Sequence, residues 1–152
     1  PEEPLHGGAE LDLGIPARLP DDDLPDVHSR LVMYKRISNA ADLQALYDLQ
    51  VEMIDRFGLL PEAAKNLIQI TELKLKAAEL GIKKIDAGDS GGRIVFTPEP
   101  NIDPAKIISL IQTQPKTYKF DGANKLRFTL PLPEGIERAE AVKSILEQFT
   151  KQ

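Results

Sequence analysis

Cysteine and tryptophan are both missing from this chain of 152 residues. Without a thiol there is no disulfide framework, no cysteine nucleophile, no iron–sulfur cluster and no cysteine zinc site. Aromatic side chains are scarce as well, with five Phe and three Tyr, so the core has to be aliphatic. No apolar run approaches the roughly 20 residues of a membrane span, and no signal peptide opens the chain. The expected compartment is therefore the cytoplasm. Positive charge is also in short supply: 19 Lys and Arg against 24 Asp and Glu leave a net charge of −5. Binding to a polyanion draws its free energy from clustered cations, and here they are scattered between acidic groups. Nucleic-acid binding is disfavoured as the main role. The chain opens at Pro1 and is expected to be a piece of a larger protein.

What is present reads as one domain, residues 10–152, behind a linker remnant over residues 1–9. Residues 1–8 are rich in Pro and Gly, a linker composition. Glu10 to Ile15 alternates polar and apolar, the period of a half-buried strand. Pro16 and Pro20 frame its exit, and Leu19 to Asp26, with Asp21, Asp22 and Asp23 in a row, predicts an extended connector. Three helices are expected next. The first starts near Asp26 with Val27, Leu31, Tyr34 and Ile37 inward and breaks at Ser38-Asn39. The second runs from near Asn39 or Ala40 to Phe57 with Leu43, Leu46, Tyr47, Met53, Ile54 and Phe57 inward, and Gly58 ends it. The third opens at Pro61, carries Ala64, Leu67, Ile68, Thr71, Leu75 and Ala78 inward, and stops at Leu80-Gly81.

Short β-type runs follow at Ile82–Ile85 and Arg93–Phe96, joined by a polar, glycine-rich turn over residues 86–92. A helix from about Pro104 to Gln114 presents Ile107, Ile108, Leu110 and Ile111. Strands near residues 117–120 and 125–130 flank a turn at Asp121–Asn124, and a last helix spans about residues 134–149. This order predicts an α+β fold: an N-terminal strand and helices, then a small, mainly antiparallel sheet with two further helices.

No catalytic residue, cofactor loop or metal site emerges. Ser90-Gly91-Gly92 follows a strand but precedes another strand, whereas a phosphate cradle uses the start of a helix. Asp21, Asp22, Asp23 and Asp26 lack the spaced ligands of a calcium loop. His6 and His28 are the remaining soft ligands, and His28 is better read as a surface residue near the first helical turn than as a partner of Asp26. The second helix is more informative. Asp48, Glu52, Asp55 and Arg56 share the side opposite Leu46, with Glu52 and Arg56 spaced for an i, i+4 pair. Such a stripe is either a solvated outer face or a docking surface for an arginine-rich partner, because a carboxylate accepts a guanidinium fork.

Several stretches, taken in order, resemble one family. Leu19-Pro20 through Pro25-Asp26, then Arg30-Leu31-Val32-Met33-Tyr34-Lys35-Arg36-Ile37, are similar to the segment that opens the C-terminal domain of bacterial transcription-repair coupling factors. Val51-Glu52-Met53-Ile54-Asp55-Arg56-Phe57-Gly58-Leu59-Leu60-Pro61 resembles that domain's central block, Leu80 to Ile85 its strand entry, and Gln114-Pro115 through Asp121-Gly122 a later turn. The similarity runs from about residue 10 to 150. It implies a non-catalytic, autoinhibitory interaction domain of a DNA-translocating ATPase whose motor lies outside this chain. The family's C-terminal domain packs in cis on the N-terminal UvrA-binding module and masks it until the motor engages stalled RNA polymerase; the parent protein contacts RNA polymerase, UvrA and DNA. The resemblance places Glu52, Asp55 and Arg56, with Asp48 beside them, at that contact. The runner-up reading is an accessory nucleic-acid module using Lys83, Lys84, Arg93, Lys116, Lys119, Lys125 and Arg127.

Overall fold

The computed structural model describes residues 9–15 and 27–151, with backbone alone for residues 27–30. The linker over residues 1–8, the connector over 19–26 and the readings of His6, Asp26 and the His28 side chain lie outside the described residues. The elements run β1 (Glu10–Asp12), α1 (Val27–Ser38), α2 (Leu43–Phe57), α3 (Glu62–Glu79), β2 (Ile82–Gly88), β3 (Gly91–Phe96), α4 (Pro104–Thr113), β4 (Tyr118–Phe120), β5 (Lys125–Thr129) and α5 (Ile136–Glu147). Three helices thus precede a hairpin–helix–hairpin–helix unit, the expected α+β arrangement.

The first three helices enclose a core of Met33, Tyr34, Ile37, Leu46, Leu49, Met53, Leu60, Ala64, Ile68 and Leu75. The inward faces read from periodicity need correction. Leu31, Tyr47 and Ile54 are exposed, and Met33 and Leu49 are buried in their place. Each of these helices carries apolar side chains on more than one stripe, and only the packed neighbour decides which stripe goes in. The third helix shows the reason. Ala64, Ile68 and Leu75 join the helical core, while Leu73 and Ala77 point into a second core under the sheet. α3 is a wall shared by two cores, so it cannot follow a single stripe.

The sheet has the order β1-β2-β3-β5-β4. β1 joins β2 in parallel, and the other pairings are antiparallel. One face buries Ile85, Ile94, Phe96, Leu126, Phe128 and Tyr118 against α3, α4 and α5, each large apolar side chain contributing about 1.5–3 kcal/mol. Phe96 meets Phe149 edge to face at 6.0 Å. Ile82 and Ile85 both point into this core although they are three apart. The register shift between Ile82 and Lys84 explains it, because a bulge at Lys83 restores the alternation. On α4, Ile107 and Leu110 are buried, whereas Ile108 is exposed.

The glycine-rich segment is a hairpin and not a phosphate loop. Its turn is only Asp89-Ser90, with Gly88 the last residue of β2 and Gly91 and Gly92 the first two of β3. A side chain on Gly91 would run into the Phe128 carbonyl oxygen, and one on Gly92 into the Asp86 carbonyl oxygen. These glycines let three strands approach closely. Arg138 ties the hairpin to its surroundings, donating to the carbonyls of Leu13 at 2.8 Å and Pro133 at 3.0 Å and to the Asp89 carboxylate at 2.5 Å.

Candidate protein-docking face

α2 is set by its ends. The Asp42 carboxylate accepts the Ala45 N–H at 2.8 Å, satisfying one of the unpaired donors at the helix start. At the other end Gly58, with φ +76°, donates its N–H to the Ile54 carbonyl at 2.8 Å. There is open space where a side chain would go, so the backbone conformation and not crowding calls for glycine. Between these caps Leu46, Leu49 and Met53 are buried and half the helix surface faces solvent.

Asp48, Glu52, Asp55 and Arg56 are all exposed on that surface. Asp48 accepts from Gln44 at 2.9 Å. Glu52 is not paired with Arg56 as the i, i+4 spacing suggested. Its carboxylate instead takes a fork from Arg36 of α1, Nη1 to Oε2 at 2.7 Å and Nη2 to Oε1 at 3.0 Å. The hydrogen bonds from Arg36 hold the Glu52 carboxyl below the usual carboxylate range, opposed by desolvation and helped by the charges of Arg36 and Arg56. The same bonds push the Arg36 guanidinium up. Arg56 lies over the Phe57 ring, 5.3 Å from its centroid. Asp55 has no hydrogen-bond or ion-pair partner among the described residues. A shallow groove of about 230 Å³ separates α1 from α2, with Val32, Met33, Met53 and Phe57 as its apolar walls and Arg36, Glu52 and Arg56 at its rim.

The structure therefore brings all four singled-out residues to one exposed face and adds Arg36, which sequence reasoning missed. The pair spans 16 residues and two helices, and no local spacing encodes it. Chemically the face offers carboxylates that accept charge-assisted hydrogen bonds. On the α3 side, the Tyr47 hydroxyl donates to Glu72 at 2.7 Å and Lys143 of α5 donates to the other Glu72 oxygen at 3.0 Å.

The basic residues of the runner-up reading fall on or beside the sheet half. Arg93 and Arg127 face each other across β3 and β5 and share the Asp121 carboxylate at 3.6 and 3.2 Å. Lys84 lies beside Glu10 and Asp86. Three of the seven cations are thus already matched by carboxylates, which lowers what they offer a phosphate backbone. Among the described residues no group of three His, Asp or Glu side chains could hold a metal ion, and no helix is long and apolar enough to cross a membrane.

Comparison with known proteins adds the following. The family described as the TRCF domain matches residues 13–107. The transcription-repair-coupling factor of Haemophilus influenzae is 48% identical over 145 residues, covering 95% of this chain and 13% of that protein. The one from Escherichia coli is 42% identical over 140 residues, covering 92% of this chain and 12% of that protein. This chain thus spans about an eighth of the length of these two relatives. Among solved structures, the C-terminal domain of a transcription-repair coupling factor superposes with a TM-score of 0.63 at 23% identity, covering 92% of this chain and 94% of that one. That likeness shows the fold.

Proposed function

This chain belongs to the TRCF domain family, and from that premise we propose that it is the non-catalytic, autoinhibitory C-terminal module of a transcription-coupled DNA repair translocase. It docks in cis on the N-terminal UvrA-binding module and masks it until the motor, elsewhere in the polypeptide, engages stalled RNA polymerase. Asp48, Glu52, Asp55 and Arg56 form the docking face. The observation that carries this reading is the exposed acidic side of α2, where, among the described residues, Asp55 is unpartnered and Glu52 is ion-paired with a solvent-exposed arginine, Arg36. A carboxylate already shaped to accept a guanidinium fork is suited to a partner's arginine. Exposed charge pairs are individually weak and exchange with water and salt, which makes such a contact specific yet releasable.

The test is calorimetric titration of this chain with the separately expressed N-terminal module, wild type beside Glu52→Ala with Asp55→Ala. Saturable binding that weakens at least tenfold in the double variant, with circular dichroism unchanged, supports the reading. An unaltered affinity in the double variant removes the acidic face from the contact. No wild-type binding at any salt concentration would sink the docking role.

A further inference from the structure

The outer surface of α2 carries a second row that the acidic residues do not explain. Tyr47, Val51 and Ile54 are 41%, 68% and 48% exposed. They stand at i, i+4 and i+7, so they form one stripe about two turns long. Asp48, Glu52 and Asp55 follow each of them by one residue and form a parallel stripe rotated by roughly 100°. Single exposed apolar residues are ordinary on protein surfaces, but these are not scattered. Of the eight exposed large hydrophobics among the described residues, six lie on α1 and α2 or at Leu59, which is 93% exposed. Tyr47 is also held in place by its bond to Glu72, so docking against it forfeits little side-chain freedom.

An apolar row at i, i+4, i+7 with charges at the next positions has the spacing by which one helix packs along another. The apolar residues occupy the d and a positions of a heptad, and Asp48 and Asp55 occupy e, where flanking charges select the partner. An acidic flank requires a basic one opposite. We infer that α2 is one strand of a short two-helix seam whose other strand is a basic helix elsewhere in the same polypeptide, presenting Lys or Arg beside an apolar row. This rests on the docking reading and deepens it: the contact is an apolar seam with an ionic edge, not an ionic patch alone. The relatives extend far beyond the matched segment, so their polypeptides have room for such a helix.

Photocrosslinking in the full-length coupling factor tests this. Val51 is replaced by p-benzoyl-phenylalanine, with Ile54 as a second placement and the exposed Phe120 of β4 as control. Circular dichroism of this chain with the same replacements verifies folding. The expected result is one intramolecular crosslink from position 51 or 54 to a segment with Lys or Arg at i and i+3 or i+4 beside apolar residues. Its yield should fall at least fivefold with Asp48→Lys and Asp55→Lys. Crosslinking no stronger than from position 120, or directed to another protein or to a segment without cations, overturns the inference. A crosslink to a basic helix outside the N-terminal module would remove that module from the proposed function and leave the seam standing.

Discussion

Replacing Arg138 by methionine should cost this fold far more than replacing the residue it is ion-paired with. The Arg138 side chain is 6% exposed, whereas the Asp89 carboxylate is 85% exposed. Arg138 holds three acceptors from separate parts of the chain: the Leu13 carbonyl after β1, the Pro133 carbonyl before α5, and Asp89 in the β2–β3 turn. In Arg138→Met the two carbonyls lose a charged donor, each such bond being worth about 1.5–3 kcal/mol. Asp89 regains water and costs little, as exposed ion pairs contribute under about 1 kcal/mol. Methionine restores much of the buried apolar volume, so the net loss should be about 3 kcal/mol for Arg138→Met and under about 1 kcal/mol for Asp89→Asn. For a domain of this size that is a fall in Tm of roughly 6–12 °C against 2–4 °C or less. Calorimetric melting measures both, and hydrogen exchange should show protection lost first at Glu10–Asp12, whose parallel pairing to β2 is only three residues long. Equal costs for the two substitutions, or an Arg138→Met protein melting within about 2 °C of wild type, would refute the assignment of the stability to the buried carbonyl bonds.

Two titrations report on α2. The Tyr47 phenol is pushed up to about 12, chiefly by its hydrogen bond to Glu72, then by burial and the Glu72 charge; its share of stability should persist below about pH 10 and disappear as pH rises through about 12. Absorbance at 295 nm, wild type minus Tyr47→Phe, should show that late midpoint, and a midpoint near 10 would contradict the bond. For Glu52, carboxyl carbon shifts followed by NMR should titrate below the ordinary carboxylate range and return toward it in Arg36→Ala. The fork's contribution is then present at neutral pH and fades as pH falls through that depressed range, and identical midpoints in the two proteins would exclude the fork in solution.

Much of the architecture was legible in the chain alone. Gly58, Pro61 and Pro104 sit at helix ends where their backbone preferences put them, and two polar, glycine-bearing turns marked the hairpins. The acidic set Asp48, Glu52 and Asp55 was visible from helical spacing because residues three and four apart must share a side. Other properties depend on contacts between segments far apart in sequence. The parallel pairing of Leu11 with Ile85 joins residues that no local pattern connects. Periodicity located apolar stripes on α1, α2 and α3 but could not rank them, since each stripe is equally helical until a neighbour covers one. That is why Tyr47 and Ile54, expected in the core, stand in solvent while Leu49 is buried. For the same reason Glu52 pairs with Arg36 and not with Arg56: the donor fork comes from a neighbouring helix, 16 residues away in sequence, while Arg56 lies over the Phe57 ring. Local sequence determined which elements form and where they end, and tertiary packing decided which side of each element is left exposed.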